Sequence, residues 1–170
     1  MEKIAVFGSA FNPPSLGHKS VIDSLDHFDR ILLVPSISHA WGKEMLDYDI
    51  RCQLIEAFIQ DIGSNKVTLC KVEQELFTPS SSVTTYAVLK KVEEIFPNAD
   101  ITFVIGPDNL LHFDRFYKSA EILKRWSIMV CPERIPVRST EIRRRLSDNA
   151  EIRGLTTPSV ERLLQQLKVY

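Results

Sequence analysis

The sequence predicts an α/β domain with a doubly wound, mostly parallel sheet of five strands or slightly more and helices on both faces. Two observations carry this expectation. Four short runs rich in Val, Ile, Leu and Phe have the apolar character of strands buried on both sides, and a fifth alternates apolar and polar residues. Stretches with apolar residues at helical spacing lie between them, and that alternation makes parallel βαβ units.

Lys3–Gly8 is the first strand, running into glycine, and an Asn-, Pro- and Ser-containing loop follows. A helix is predicted from near Gly17 to about Phe28. Arg30–Pro35 is a second strand stopped by proline. From Asp47, the residues Ile50, Leu54, Ile55, Phe58 and Ile62 fall on one helical face, with Gly63 as the stop. Val67–Val72 alternates like a third strand. Thr84–Phe96 is helical, ended by Pro97-Asn98. Ile101–Gly106 and Trp126–Cys131 are the fourth and fifth strands, with a short helix near Ser119–Lys124 between them. Two helices close the pattern. One begins at Ser139-Thr140, and the other has Thr157 as its N-cap and Pro158 at its first position. The result is Rossmann-like.

A chain of 170 residues with no Gly/Ser-rich linker and no repeat reads as a single domain over 1–170, whose C-terminal helical portion is about 139–170. Hydrophobic residues are 44% and charged residues 25%, ordinary globular proportions. A net charge of −1 excludes a protein held on nucleic acid or membrane by bulk charge. No apolar run approaches the roughly 18 residues of a membrane span. Residues 1–11 do not have the pattern of a secretory leader. Cys52, Cys70 and Cys131 are odd in number and widely spaced, so reduced thiols and a cytoplasmic location are expected, with neither a disulfide framework nor a protein-held metal.

In such sheets ligands sit beyond the carboxyl ends of the strands where strand order reverses. The first strand leads into Gly8-Ser9-Ala10-Phe11-Asn12-Pro13-Pro14-Ser15-Leu16-Gly17-His18. Glycine there lets backbone approach a ligand closely, and Gly17-His18 open a helix whose free N–H groups favour an anion. The same loop also reads as a plain strand-to-helix connection with a capping histidine. Far along the chain, Ser139 and Thr140 begin a helix, and Arg143 lies one turn on, within reach of the same anion. Arg143, Arg144 and Arg145 cannot all face one way, so at least one is solvated. Two anion-favouring helix starts in one small domain suggest a polyphosphate.

These stretches resemble a known family. Gly8, Phe11, Asn12, Pro13, Ser15, Gly17 and His18 are similar to the G-x-F-x-P-x-[H/T]-x-G-H loop of nucleotidyltransferases. Ser139, Thr140, Ile142 and Arg143 are similar to its second signature, S-[ST]-x-x-[IV]-R. Trp41-Gly42-Lys43 with Arg51, Thr84-Thr85-Tyr86, Gly106-Pro107-Asp108, Phe116-Tyr117 and Arg153-Gly154-Leu155 narrow the resemblance to bacterial nicotinate (or nicotinamide) mononucleotide adenylyltransferases. The resemblance implies that ATP and its phosphates are held by Gly8, Ser9, Phe11, Ser15, Gly17, His18, Gly106, Asp108, Ser139, Thr140 and Arg143. It places the mononucleotide at Ala10, Lys43, Arg51, Thr85 and Phe116, with Phe116 stacking on the pyridine ring. It gives catalysis to His18, Lys43 and Arg143.

The implied reaction needs no activated nucleophile, because the attacking phosphate oxygen is already anionic. Mg²⁺ is expected on the ATP phosphates, held by substrate and water. The substrates are small molecules, with no nucleic acid and no membrane, and the oligomeric state, monomer or homo-oligomer, stays open. Two departures stand out: Ser15 replaces an imidazole or threonine, and the link 132–138 is shorter than in typical members. Pantetheine-phosphate adenylyltransferase, and a nucleotide-binding regulator without catalysis, are the alternatives.

Overall fold

The structure is a computed structural model that describes residues 1–38 and 44–170. Its sheet has five strands, all parallel, in the order β3-β2-β1-β4-β5. The strands are β1 (Lys3–Ser9), β2 (Arg30–Pro35), β3 (Val67–Leu69), β4 (Asp100–Ile105) and β5 (Ser127–Val130). The helices are α1 (Leu16–Asp23), α2 (Tyr48–Ile62), α3 (Val72–Leu76), α4 (Thr85–Ile95), α5 (Pro107–Leu111), α6 (Ser119–Arg125), α7 (Ser139–Ser147) and α8 (Pro158–Leu167). The doubly wound expectation is met.

Alternation along the strands explains the two cores. Ala5 and Phe7 of β1 join Leu33, Leu54, Phe58, Ile142 and Leu164 on one face, while Ile4 and Val6 join Leu32, Leu89, Phe103 and Ile122 on the other. The sheet is thus apolar on both sides, as its unbroken hydrophobic runs require. Strand order reverses between β1 and β4, where Phe7 pairs with Val104, so their carboxyl ends open a crevice.

Two elements differ from the sequence expectation. The first helix ends at Asp23, not near Phe28. Ser24 Oγ donates back to the Ser20 carbonyl, and the amides of Ser24, Leu25 and Phe28 each bond three residues back, so residues 24–28 wind as tight turns. The third strand stops at Leu69. Cys70 N–H adds one more bond to the Leu33 carbonyl, and Val72 is instead the buried first residue of α3. The alternation at Val67–Val72 therefore ran past a real strand into a helix. Elsewhere the stops are as expected: Gly63 caps α2 in the left-handed region at φ 72°, and Thr157 and Pro158 open α8.

Gly17 is demanded by packing. A Cβ there would lie 2.2 Å from the Val137 carbonyl oxygen and 2.6 Å from Glu133 Oε2, so the 133–137 link lies directly on α1. A Cβ on Gly106 would meet nothing within 4 Å. Gly17→Ala is expected to destabilise the fold by about 1–3 kcal/mol. Gly106→Ala is expected to leave stability within about 1 kcal/mol of the parent. Urea denaturation of the two variants checks this, and equal stabilities would contradict the packing account.

Candidate active site

The loop between β1 and α1 is held by its carbonyls. Arg51 Nη1 donates to the Ala10 carbonyl (2.9 Å) and the Ser36 carbonyl (2.6 Å), and its Nε donates to that of Leu46 (2.8 Å). Arg143 Nη1 donates to the Asn12 carbonyl (2.7 Å), Ser139 Oγ to Pro13 (2.6 Å) and Thr156 Oγ1 to Pro14 (2.8 Å). Asn12 Oδ1 accepts the Tyr170 hydroxyl and the Leu46 amide. Leu16 N–H donates to the Leu155 carbonyl at 2.9 Å, just beyond the turn that Gly154 makes at φ 81°. The two distant signature stretches are therefore in direct contact.

Sequence explains why this loop accepts so many outside donors. Pro13 and Pro14 have no N–H, so the peptide units of Asn12 and Pro13 offer only acceptors. Phe11 adopts φ 48°, a left-handed backbone that costs a non-glycine residue about 1–3 kcal/mol. Its fully buried ring, 5.6 Å from Phe7 and 4.7 Å from His18 between centroids, holds it there.

His18 is the third residue of α1 and closes a capping box with Ser15. Ser15 Oγ accepts the His18 amide, and His18 Nδ1 accepts the Ser15 amide at 3.0 Å. An amide can only donate, so Nδ1 carries no proton in this arrangement and the neutral ring bears its hydrogen on Nε2. That N–H points at Ser9 Oγ, 2.9 Å away. Burial lowers the ring's pKa to about 4, so at neutral pH His18 is an uncharged donor. Ser15 is 1% exposed and lies beneath the ring, its Oγ also donating to the Val137 carbonyl at 3.2 Å.

Two hollows flank the end of β1. The larger, about 440 Å³, includes Gly8, Ser9, His18, Gly106, Asp108 and Arg138 in its wall. The smaller, about 330 Å³, includes Gly8, Ser9, Ala10, Glu73, Thr85 and Phe116. Gly8, Ser9, Phe103 and Asn109 belong to both. Another hollow, about 480 Å³, lies at the amino ends of β4 and β5 beside Glu93, Arg125 and Trp126. It is remote from both signatures and at the wrong end of a parallel sheet for a ligand.

The structure thus gathers His18, Gly106 and Asp108 on one side, and Ala10, Thr85 and Phe116 on the other. Phe116 packs 5.0 Å from Phe113, and Thr84 Oγ1 caps α4 through the Ala87 amide, which leaves Thr85 in the first turn. Phe11, Ser15, Gly17, Arg51, Ser139 and Arg143 line neither hollow. Thr140 accepts Arg143 Nη2 at 3.1 Å, and Arg144 is the exposed member of its run. Asp108 pairs loosely with Arg138, at 3.9 Å between two exposed side chains. Lys43 and Trp41 lie outside the described residues.

Sequence reasoning missed Glu73, Asn109, Thr156 and Tyr170. Glu73 follows the end of the expected strand at Val72, in a short helix that no sequence pattern announces, and Asn109 follows the Gly106-Pro107-Asp108 loop by one residue. No signal in the sequence marks Thr156 or Tyr170, whose bonds cross about 140 to 160 residues. Glu73 accepts the Ile37 amide at 3.1 Å, and burial raises its carboxyl to about 7, more than that bond and the Arg51 charge offset.

A family model described as cytidylyltransferase-like matches residues 6–145. A putative nicotinate-nucleotide adenylyltransferase from Vibrio parahaemolyticus, solved by crystallography, is 56% identical. It has a TM-score of 0.88, over 97% of this chain and 99% of that one. The chain belongs to the nicotinate-nucleotide adenylyltransferase family of cytidylyltransferase-like proteins. A probable nicotinate-nucleotide adenylyltransferase of Bacteroides thetaiotaomicron is 30% identical over 135 residues, which span 76% of this chain and 64% of that relative. A Plasmodium falciparum nicotinic acid mononucleotide adenylyltransferase complexed with NaAD shares the fold, at 19% identity and TM-score 0.77 over 100% of this chain and 98% of that one. Coverage of both chains nearly end to end means that the Vibrio protein is of nearly equal length.

Two titrations follow. In ¹⁵N NMR of the ligand-free protein, His18 is expected to titrate near pH 4 with the proton on Nε2 at pH 7; a midpoint above 6 would contradict the burial account. Its folded pKa lies below the ordinary value of 6.5, so its contribution to stability falls as pH drops from about 6.5 towards 4. Glu73 has the opposite sign, because its folded pKa is raised from 4.5 to about 7, and stability is lost as pH rises through that window. Glu73→Gln keeps the acceptor for Ile37 and is expected to melt higher than the parent at pH 8, with the gap shrinking towards pH 5. A constant gap would remove the carboxyl as its cause.

Proposed function

We propose that this chain transfers the adenylyl group of ATP to nicotinate mononucleotide, giving the dinucleotide NaAD and pyrophosphate. The observation that carries the reading is the contact of the two signatures around one crevice, through Arg143 to Asn12 and Ser139 to Pro13. Its two hollows share Gly8 and Ser9. A reaction that joins two nucleotides through their phosphates needs two adjoining pockets with a common wall at the reacting atoms, and this arrangement supplies one.

ATP occupies the larger hollow, with its phosphates towards His18 and the start of α1. The mononucleotide occupies the smaller, with Thr85 at the pyridine substituent and Phe116 against the ring. Lys43 serves the mononucleotide phosphate. A phosphate oxygen of the mononucleotide attacks the α-phosphorus. The new P–O bond forms as the bond to the β-phosphate's bridging oxygen breaks, and pyrophosphate leaves with the electron pair. No proton is abstracted, so catalysis rests on positioning and on donors aimed at the developing charge. His18 contributes its Nε2–H, and an incoming phosphate oxygen replaces Ser9 Oγ as the acceptor. The anion itself raises the ring's pKa once bound.

Arg51, Arg143, Ser139 and Ser15 hold the loop and ring in place from behind. Among the described residues, no three His, Cys, Asp or Glu side chains gather to hold a metal ion. Mg²⁺ would be carried by the triphosphate and water and would supply charge neutralisation there, since it seldom needs a dedicated protein cage. Among the described residues no helix is long and apolar enough to cross a membrane, and nothing in the reading requires one.

The test incubates the protein with ATP, Mg²⁺ and nicotinate mononucleotide, nicotinamide mononucleotide or phosphopantetheine, and measures pyrophosphate. Fastest release with nicotinate mononucleotide is expected; release with phosphopantetheine alone would eliminate the assignment, and ATP binding without release would favour a regulator. In the same assay His18→Ala is expected to lower kcat about 100-fold, the size of a lost charge-stabilising donor. Arg143→Ala is expected to raise the KM for ATP about tenfold, since the loop loses a charged clamp. Parent kinetics in either variant would remove that residue from the site.

A further inference from the structure

We propose that Thr156 is a positioning residue for adenylyl transfer, fixing the tautomer and orientation of His18 through the Pro14–Ser15 peptide group. The proposal rests on the reading that His18 donates to a phosphate.

The connection is a chain of three hydrogen bonds. Thr156, 5% exposed, donates its hydroxyl to the Pro14 carbonyl at 2.8 Å. A trans peptide unit is planar, with its C=O and the following N–H pointing in opposite directions. Fixing the Pro14 carbonyl therefore also fixes the direction of the Ser15 N–H, which donates to His18 Nδ1 at 3.0 Å. That bond leaves Nδ1 as an acceptor, so the ring proton sits on Nε2, facing Ser9 Oγ at 2.9 Å in the wall of the larger hollow. Hydrogen bonds at the two ends of one peptide group polarise each other in the same sense, so the hydroxyl also strengthens the amide as a donor.

Neighbouring groups leave this task to Thr156. Ser139 and Arg143 clamp the carbonyls of Pro13 and Asn12, whose peptide units end on proline nitrogens and carry no N–H to aim. Only the Pro14 unit both accepts an outside donor and points an N–H at the imidazole. Ser15 Oγ lies 3.1 Å from Nδ1 and 3.2 Å from the Val137 carbonyl, so its one proton is divided between two acceptors, whereas the Ser15 N–H is aimed at Nδ1. Thr156 touches neither hollow, so its action is indirect.

Thr156→Val keeps the shape of the side chain and deletes the hydroxyl; Thr156→Ser keeps the hydroxyl. Ring ¹⁵N spectra of His18 at neutral pH are expected to show one Nε2–H tautomer in the parent and in Thr156→Ser, and a mixture with the Nδ1–H form in Thr156→Val. In pyrophosphate-release kinetics, Thr156→Val is expected to lower kcat about tenfold, with the KM for mononucleotide changed less than about twofold, and Thr156→Ser to restore most of the rate. If Thr156→Val does not fold, Thr156→Ala carries the same expectations. A parent-like His18 spectrum in the hydroxyl-less variant overturns the proposal, as does equal loss of rate in the Val and Ser variants. The spectra need no turnover, so an inactive parent would defeat the functional reading alone and leave Thr156 decided by the tautomer.

Discussion

The rest of the site depends on one constraint: every carbonyl from Asn12 to Pro14 is tied to a side chain from the far end of the chain, and that of Ala10 to Arg51. A loop facing a triphosphate must turn its carbonyl oxygens away, because those partial negative charges would repel the phosphates. Two guanidiniums and two hydroxyls do this here, each bond contributing about 1 kcal/mol or more. Tyr170 adds a further anchor on Asn12. Burial keeps its phenol protonated against the opposing pull of Arg143 and Arg51, so it remains a donor.

The clamp accounts for features that otherwise look unrelated. Consecutive prolines remove N–H groups that the clamp could not satisfy. The left-handed Phe11 persists because its ring is locked between Phe7 and His18. The link 132–138 lies on Gly17, where any side chain would collide, and its Val137 carbonyl takes the Ser15 hydroxyl. Serine at position 15 is thereby explained without a charge: it caps α1 and orients His18 from below. The imidazole that faces the crevice is neutral, its N–H pre-aimed by its neighbours.

Much of this architecture was legible in the residues. Apolar runs, the glycine stop at Gly63 and the Thr157-Pro158 start are local chemistry, and local chemistry survives folding. The strand reading of Val67–Val72 overshoots because Val72 is out of phase with Val67 and Leu69, and its burial comes as the first residue of a short helix. The pocket residues Thr85, Phe116, Gly106 and Asp108 came from the resemblance, and the structure brings them to the crevice in two groups. What the sequence hid was direction. Arg143 and Ser139 are expected at the phosphates and Arg51 at the mononucleotide, and each donates to a backbone carbonyl of the loop. Such contacts between Asn12 and Arg143, or Pro14 and Thr156, join residues far apart in the chain and leave no spacing to detect.

Amide hydrogen exchange with Mg²⁺ and an ATP analogue whose α–β bridge cannot be cleaved addresses the central claim directly, that two remote stretches form one triphosphate cradle. Residues 8–19 and 138–143 are expected to slow together, with the same half-saturating concentration. Protection of only one stretch, or protection centred on the hollow beside Glu93 and Arg125, would contradict it.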